Sequence, residues 1–304
     1  MPERPLELSP NFLGLPPDQS ALEDSSVLVL PVPYEATTSY GQGTRFGPRA
    51  ILEASTQVEL YDHLTRTEAG PELGFHTLAP FSPESTSHES AIPEITRAAS
   101  PLYESGKFVL SLGGEHSITA GLVGAAARAW KDLCIVHVDA HADLRDSWEG
   151  TSLSHACAAR RALEHLEPDG SAQLVQVGIR NISTEGDAFR RANEKRIRTF
   201  WAADVVADRD SGWLDEVERL VAGRDVYLTF DLDGLDSSIM PATGTPEPGG
   251  LLWHHAVSLI ERVARCAEVK AADVVELAPQ AGNHAPDFLA AKLCYLIARR
   301  ALGA

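Results

Sequence analysis

The chain of 304 residues has no long apolar run, and no stretch approaches the roughly 18 apolar residues that a membrane-spanning helix needs. Residues 1–10 lack the basic start and the apolar core of a secretion signal. Extended runs of lysine and arginine are missing as well, and the net charge of −17 would repel phosphate backbones and anionic membrane surfaces. We therefore expect a cytoplasmic protein that binds neither nucleic acid nor a membrane.

Cysteine is also scarce. The four cysteines lie far apart, at Cys134, Cys157, Cys266 and Cys294. This spacing indicates free thiols rather than disulfides or a zinc site. The chain is 44% hydrophobic and 23% charged, which is typical of a globular protein with a large core. Because no linker or internal repeat is evident, we expect one domain over residues 1–304 with an N-terminal arm at 1–26.

Short apolar runs rich in β-branched residues alternate with helical patterns, which predicts a parallel sheet covered by helices on both faces. Strands are predicted near residues 27–33, 75–79, 108–112, 133–138, 174–179, 197–201, 225–230 and 272–277. Apolar residues at three- and four-residue spacing predict helices at 47–54, 90–105, 117–130, 154–166, 186–195, 211–222, 254–267 and 286–301. The predicted fold class is α/β, a three-layer α/β/α arrangement with a mostly parallel sheet of about eight strands.

Polar clusters directly follow three of the predicted strands. Open α/β sheets bind ligands beyond the carboxyl ends of their strands, so these clusters are candidates for a functional site. In two of them the polar side chains occupy alternate positions, which lie on one side of an extended chain. A single aspartate in such a place is often only a turn former or a helix cap. The candidate ligands are Asp139, His141 and Asp143 in the first cluster, Asp231 and Asp233 in the second, and His116 in the third.

Four carboxylates gathered at one sheet edge would repel one another strongly. Shifted protonation or bound cations are the two ways to relieve that repulsion, and two divalent ions would balance the four negative charges. Oxygen-rich ligands with two imidazoles and no cysteine favour a hard ion such as Mn²⁺, although other first-row metals compete. We therefore predict two Mn²⁺ ions, which at roughly 3.5–4 Å separation can share a water and lower its pKa toward about 7.

Taken together, the motifs resemble those of the ureohydrolases, the family of arginases and agmatinases. They are TRFGPR at 44–49, GGEHS at 113–117, DAHAD at 139–143, FDLDGLD at 230–236, TGTPEPGG at 243–250 and DVVE at 273–276. The resemblance implies an arginase-like fold, a homotrimer or homohexamer, and a pair of bridged metal ions. The ligand sets it implies are Asp139 and Asp231 as bridges, His116 and Asp143 on one ion, and His141 and Asp233 on the other.

The resemblance also implies roles beside the metals. His155, after the DAHAD motif, corresponds to a histidine that shuttles protons, and Glu276 corresponds to a glutamate that receives the substrate guanidinium. Glu115 is expected to support the neighbouring histidine ligand. Asp146 and Glu149, in the loop after DAHAD, are expected to meet the second cationic end of the substrate.

The implied reaction is the hydrolysis of agmatine to putrescine and urea, in which a metal-bridging hydroxide attacks the guanidinium carbon. The amine that leaves needs a proton, which Asp143 and His155 would relay. Loop 144–153 lacks the Asn- and Thr-rich sequence with which arginases receive an amino acid head group, and SHAC at 154–157 resembles agmatinases. Guanidinobutyrate, arginine and formimidoylglutamate are the alternative substrates, and a metal-stabilised scaffold without turnover is the alternative from a different class.

Overall fold

The computed structural model describes residues 10–62, 66–84, 87–168, 171–208 and 210–303. Its centre is a parallel sheet of eight strands: β1 (Val27–Val32), β4 (Phe75–Thr77), β5 (Phe108–Gly113), β6 (Leu133–Val138), β7 (Leu174–Ile179), β8 (Ile197–Trp201), β9 (Asp225–Asp231) and β10 (Glu268–Val275). Their order in the sheet is β4-β1-β5-β10-β9-β6-β7-β8. Two short strands, β2 (Tyr61–Asp62) and β3 (Thr67–Glu68), form a separate antiparallel pair.

The inner strands are mostly apolar because both faces of the sheet are covered. Every residue of β1, β5, β6 and β7 is buried, whereas the edge strand β8 is partly exposed. Successive side chains of a strand enter opposite cores: Val27 and Val29 pack in one core, and Leu28 and Leu30 pack in the other.

Ten helices cover the sheet in the described part of the chain. They are α1 (Gly47–Ser55), α2 (Ala69–Leu73), α3 (His88–Tyr103), α4 (Ile118–Ala129), α5 (Ala158–Glu164), α6 (Thr184–Ala192), α7 (Ala202–Ala207), α8 (Gly212–Val221), α9 (Trp253–Cys266) and α10 (Ala285–Ala301). Helices α1, α8, α9 and α10 contribute to the core on one face, and α3, α4 and α5 contribute to the core on the other. The predicted three-layer α/β/α class is therefore confirmed.

The structure differs from the predicted elements at several boundaries. The predicted helix 154–166 is divided into a 3-10 turn, His155–Cys157, and helix α5. Strand β10 begins at Glu268 and ends at Val275, earlier than predicted, so Glu276 follows the strand instead of lying within it. Helices α2 and α7 were not predicted, because five and six residues are too few to show a helical period.

Part of the predicted arm 1–26 packs on the body of this chain. Phe12 and Leu13 are buried, and the rings of Phe12 and Phe75 are 5.4 Å apart. Residues 1–9 of the arm lie outside the described residues. Within the described ranges no helix has the length and apolar character needed to cross a membrane. All four cysteines are free thiols, as predicted.

Candidate metal centre and active site

The carboxyl ends of the four central strands, β5, β10, β9 and β6, meet at one edge of the sheet. Asp231 ends β9, and Asp139 follows β6 at the same level, because the residues just before them are paired in the sheet. His116 lies in the turn between β5 and α4, and Glu276 directly follows β10. The parallel topology therefore brings together side chains that are up to 160 residues apart in sequence.

The first ligand group forms around the buried imidazole of His116. Its Nδ1 lies 3.1 Å from a carboxylate oxygen of Asp139, 3.1 Å from one of Asp231 and 3.3 Å from one of Asp143. Although these oxygens are close, the geometry gives Nδ1 no hydrogen-bond partner. A buried nitrogen surrounded by three carboxylates and bonded to none of them fits the position of a metal ion.

The second ligand group shares Asp139 with the first. His141 Nδ1 lies 3.0 Å from Asp233 Oδ2 and 3.6 Å from Asp139 Oδ1. The ligand atoms of Asp139, His141 and Asp233 all lie within 4.8 Å of one another, which is compact enough for one ion. The six predicted ligands thus converge in two groups joined by one carboxylate, which suits a pair of ions.

The electrostatics of the site also call for cations. Burial, and then the charges of Asp233 and Asp139, raise the pKa of Asp231 well above its usual value. Burial and the charge of Asp139 likewise raise the pKa of Asp233. A carboxylate with a raised pKa is destabilised in its charged form, and bound divalent ions remove that penalty.

Two residues of the site have backbone conformations that L-amino acids rarely adopt. Asp143 has a φ of 50° and Glu276 a φ of 69°. Such conformations cost free energy and are typical of functional sites, where they aim a side chain. Both residues line the same cavity.

This cavity has a volume of about 180 Å³ and opens above both ligand groups. It is lined by His116, His141, Asp143, Asp231 and Asp233, and also by Glu276. The Glu276 carboxyl group is almost completely buried, and burial followed by the charge of Glu115 raises its pKa well above the usual value. A cation bound in the cavity would stabilise the charged form of this carboxylate.

His155 lies in the wall of the same cavity. It begins the 3-10 turn His155–Cys157, which the Ser154 side chain caps by accepting a hydrogen bond from the Ala156 amide. Its Nδ1 lies 3.2 Å from Thr37 Oγ1, and its Nε2 lies 3.5 Å from Ser39 Oγ. Both ring nitrogens thus lie beside hydroxyl groups, which can act as donor or as acceptor.

Asp146 and Glu149 are not brought to the cavity. The Asp146 carboxylate instead forms ion pairs with Arg160 and Arg161 of α5, each at 2.9 Å. Glu149 lies exposed at the tip of the turn that the Trp148–Thr151 bridge closes. Neither acidic side chain of this loop therefore lines the cavity.

Glu115 does not support the His116 side chain, so this expectation was wrong. Its carboxylate accepts hydrogen bonds of 2.6 Å from the backbone amides of Ala36 and Thr37, and another of 2.6 Å from the Thr37 hydroxyl. The Thr37 hydroxyl in turn accepts a hydrogen bond from the His155 amide. Glu115 therefore organises the loop beside His155.

Sequence reasoning missed several residues of the site. His137 Nε2 donates a 2.8 Å hydrogen bond to the Asp139 carboxylate. His137 and Asp139 occupy alternate positions at the end of β6, and this spacing is a signal that could have identified His137. Thr38 to Gly41, Arg145 and Trp148 line the outer cavity. These residues come from loops with no ligand-like spacing, so only the folded chain reveals them.

Comparison with known proteins agrees with this geometry. The arginase family model matches residues 25–298. The chain is 40% identical over 279 residues to the N(1)-aminopropylagmatine ureohydrolase of Synechocystis sp., covering 90% of this chain and 88% of that protein. It is 41% identical over 274 residues to the protein of the same name from Thermus thermophilus, covering 90% and 89%.

Among solved structures, the agmatine ureohydrolase of Thermoplasma volcanium superposes with a TM-score of 0.83 at 31% identity. The match covers 98% of this chain and 95% of that one. The fold, the family model and the identity to curated relatives thus agree over nearly the whole chain. This chain belongs to the arginase family and is a hydrolase that acts on the C–N bonds of amidino groups.

Proposed function

We propose that the chain releases urea from a linear guanidine that carries an amine at its other end. The proposed preferred substrate is N(1)-aminopropylagmatine. The observation that carries the proposal is that two ligand groups and the Glu276 carboxylate face one cavity. The names of the relatives at 40% and 41% identity support the aminopropyl substrate. Agmatine, which lacks the aminopropyl group, is the nearest alternative and is supported by the Thermoplasma volcanium structure.

In this proposal His116, Asp139, His141, Asp143, Asp231 and Asp233 hold two divalent ions, with Mn²⁺ as the expected metal. When bound, the ions supply an activated water as the nucleophile and offset the charge of the carboxylates. Five of these ligands, all but Asp139, line the cavity, so a substrate carbon placed beside them would lie near that water.

Glu276 would hold the guanidinium group. Its Oε1 accepts a 2.6 Å hydrogen bond from the His116 amide, whereas Oε2 accepts none from the described residues. The free oxygen can accept a charge-assisted hydrogen bond from a planar guanidinium. His155, which lines the same cavity, would exchange the proton that the leaving amine requires.

Two aromatic rings at the mouth of the cavity would bind the tail of the substrate. Tyr40 is 83% exposed although it lines the cavity, and Trp148 lies in the loop after the DAHAD motif. Aromatic faces attract alkylammonium groups and cover methylene chains. We propose these rings, in place of Asp146 and Glu149, as the site for the distal amine.

One observation favours a second candidate, a guanidino acid such as guanidinobutyrate. The guanidinium of Arg145 lines the cavity and stacks on the Trp148 ring at 4.2 Å from its centroid. Within the described ranges no carboxylate pairs with it. A cation at this position would attract a substrate carboxylate and repel an ammonium group.

A urea-release assay on Mn²⁺-loaded protein would decide between these substrates. N(1)-aminopropylagmatine, agmatine, guanidinobutyrate and arginine would each be tested at equal concentration. We expect kcat/KM to be highest for N(1)-aminopropylagmatine. A preference for guanidinobutyrate would overturn the proposal, and an absence of urea from all four would point to a scaffold without turnover.

A further inference from the structure

A buried chain of hydrogen bonds runs from His116 away from the cavity. His116 Nε2 lies 3.0 Å from the hydroxyl oxygen of Thr229, and the Thr229 hydroxyl donates a 2.6 Å hydrogen bond to Asp273 Oδ1. All three side chains are buried, at 0–2% exposure. Thr229 and Asp273 are directly paired across β9 and β10, so the sheet register fixes this contact.

The other oxygen of the Asp273 carboxylate is already occupied. Thr119 donates to Oδ2 at 2.9 Å, and the Tyr227 hydroxyl donates to it at 2.7 Å. Three hydroxyl donors thus surround one carboxylate, which in its charged form acts as an acceptor only. The single proton of the Thr229 hydroxyl is therefore committed to Asp273.

The direction of this bond decides the tautomer of His116. Because the Thr229 hydroxyl gives its proton to Asp273, its oxygen must accept from His116, and Nε2 must carry the N–H. The Nδ1 lone pair then faces Asp139, Asp143 and Asp231, where it has no hydrogen-bond partner. A metal ligand needs a nitrogen without a proton.

We propose that Thr229, held by Asp273, is a positioning residue that fixes the His116 tautomer and orients the ring for metal binding. The inference rests on the metal centre of the proposed function but not on the substrate. The role of Thr229 could not be predicted from the sequence, because the residue lies two positions before Asp231 in an ordinary strand pattern. Its hydroxyl contacts His116, which belongs to the same ligand group as Asp231.

Thr119 provides a matched control. Like Thr229 it is buried and donates a hydrogen bond to Asp273, and the two hydroxyl oxygens are 3.4 Å apart. Only the Thr229 hydroxyl contacts the imidazole of His116. Thr229→Val and Thr119→Val each remove one donor from the same carboxylate, and they differ in whether His116 loses its partner.

The experiment measures the affinity of the full-length protein for Mn²⁺ by competition with a chelator. We expect Thr229→Val to weaken Mn²⁺ binding about 10- to 100-fold, the range typical of lost partners of metal-bound histidines. Thr229→Ser should restore near wild-type affinity, and Thr119→Val should stay within about threefold of it. Unfolding midpoints of the metal-free variants check that both valine variants are folded.

Equal Mn²⁺ affinity of Thr229→Val and the wild type would overturn the inference, as would an equal loss in Thr119→Val. If Thr229→Val does not fold, Thr229→Ala against Thr119→Ala applies the same comparison without the added methyl group. Failure of the wild type itself to bind Mn²⁺ would overturn the metal centre and this inference together. A wild type that binds Mn²⁺ but releases no urea would leave the inference supported and the proposed function rejected.

Discussion

The backbone amide of His116 donates a 2.6 Å hydrogen bond to Oε1 of Glu276, which joins the turn after β5 to the end of β10. Oε1 of this carboxylate therefore holds the backbone at His116, and Oε2 remains available to a ligand. The left-handed backbone of Glu276, with a φ of 69°, turns its side chain into the cavity. This hydrogen bond thus fixes the position of His116, a proposed metal ligand, relative to Glu276, the proposed guanidinium receptor.

Replacing Glu276 with glutamine tests this division of roles. The glutamine carbonyl can still accept from the His116 amide, but the negative charge is lost. We expect Mn²⁺ content to be unchanged and kcat/KM for the guanidine substrate to fall roughly 10- to 100-fold, since a hydrogen bond to a charged group contributes about 1.5–3 kcal/mol. Parallel metal analysis and urea release measure both quantities. Full activity in Glu276→Gln would rule out the role in guanidinium binding.

Arg145→Met separates the two candidate substrate classes. The variant keeps an unbranched side chain near Trp148 but removes the positive charge from the cavity wall. For N(1)-aminopropylagmatine or agmatine we expect kcat/KM to be unchanged or to rise, because a like charge is removed. For guanidinobutyrate a role of Arg145 in carboxylate binding predicts a loss of about tenfold or more. A clear loss with the polyamine substrates would contradict our proposal.

Arg180 fixes the backbone beneath the second ligand group. Its guanidinium donates to six carbonyl oxygens, among them those of Asp233 at 2.7 Å and Glu247 at 2.7 Å. Lysine offers only three donors, so Arg180→Lys should leave several carbonyls unpaired and lower the free energy of unfolding by about 3 kcal/mol or more. Arg191→Lys is the control, because Arg191 is 74% exposed in its ion pair with Asp187. Denaturant unfolding of the metal-free proteins gives both values, and equal stabilities would refute this role.

Asp236 closes the loop that carries the TGTPEPGG motif. Hydrogen bonds from Ser238 and from the amides of Gly250 and Gly249 lower the pKa of Asp236 to about 2. Because the unfolded value is about 3.9, the charged form stabilises the fold above about pH 4, and this contribution is lost as the pH falls toward 2. We expect Asp236→Asn to lower the unfolding midpoint at pH 7.

The difference between the wild type and Asp236→Asn should then shrink as the pH falls below about 4. Asp18→Asn, at an exposed position, is the control and should follow the wild type at every pH. Midpoints measured from pH 7 to pH 3 provide the comparison. If the difference between the wild type and Asp236→Asn instead grew as the pH fell, a lowered pKa of Asp236 would be contradicted.

The sheet and the ligand groups could be predicted because each depends on a strong local pattern. Strands buried on both faces are nearly continuous apolar runs, and Asp139, His141 and Asp143 alternate directly after one of them. The parallel topology then places all such strand ends at one edge without further information. The role of Glu276 followed only from resemblance, because a single carboxylate forms no spacing pattern with other polar residues.

The outer cavity could not be predicted, for a physical reason. Asp146 and Glu149 have the charge to bind an amine, but Asp146 forms ion pairs with Arg160 and Arg161 of α5. Glu149 lies exposed in a turn and does not line the cavity. Tyr40 reaches the cavity from a loop about 100 residues earlier in the sequence. Loop conformation and long-range ion pairs decide these positions, and neither leaves a local pattern.

Anomalous diffraction from crystals grown with Mn²⁺ tests the central claim most directly. We predict two manganese peaks, one within ligand distance of His116 Nδ1 and one within ligand distance of His141 Nδ1, with Asp139 between them. Data recorded on either side of the manganese edge identify the metal. Crystals of active protein with no peak at these nitrogens, or with manganese bound elsewhere, would contradict the account.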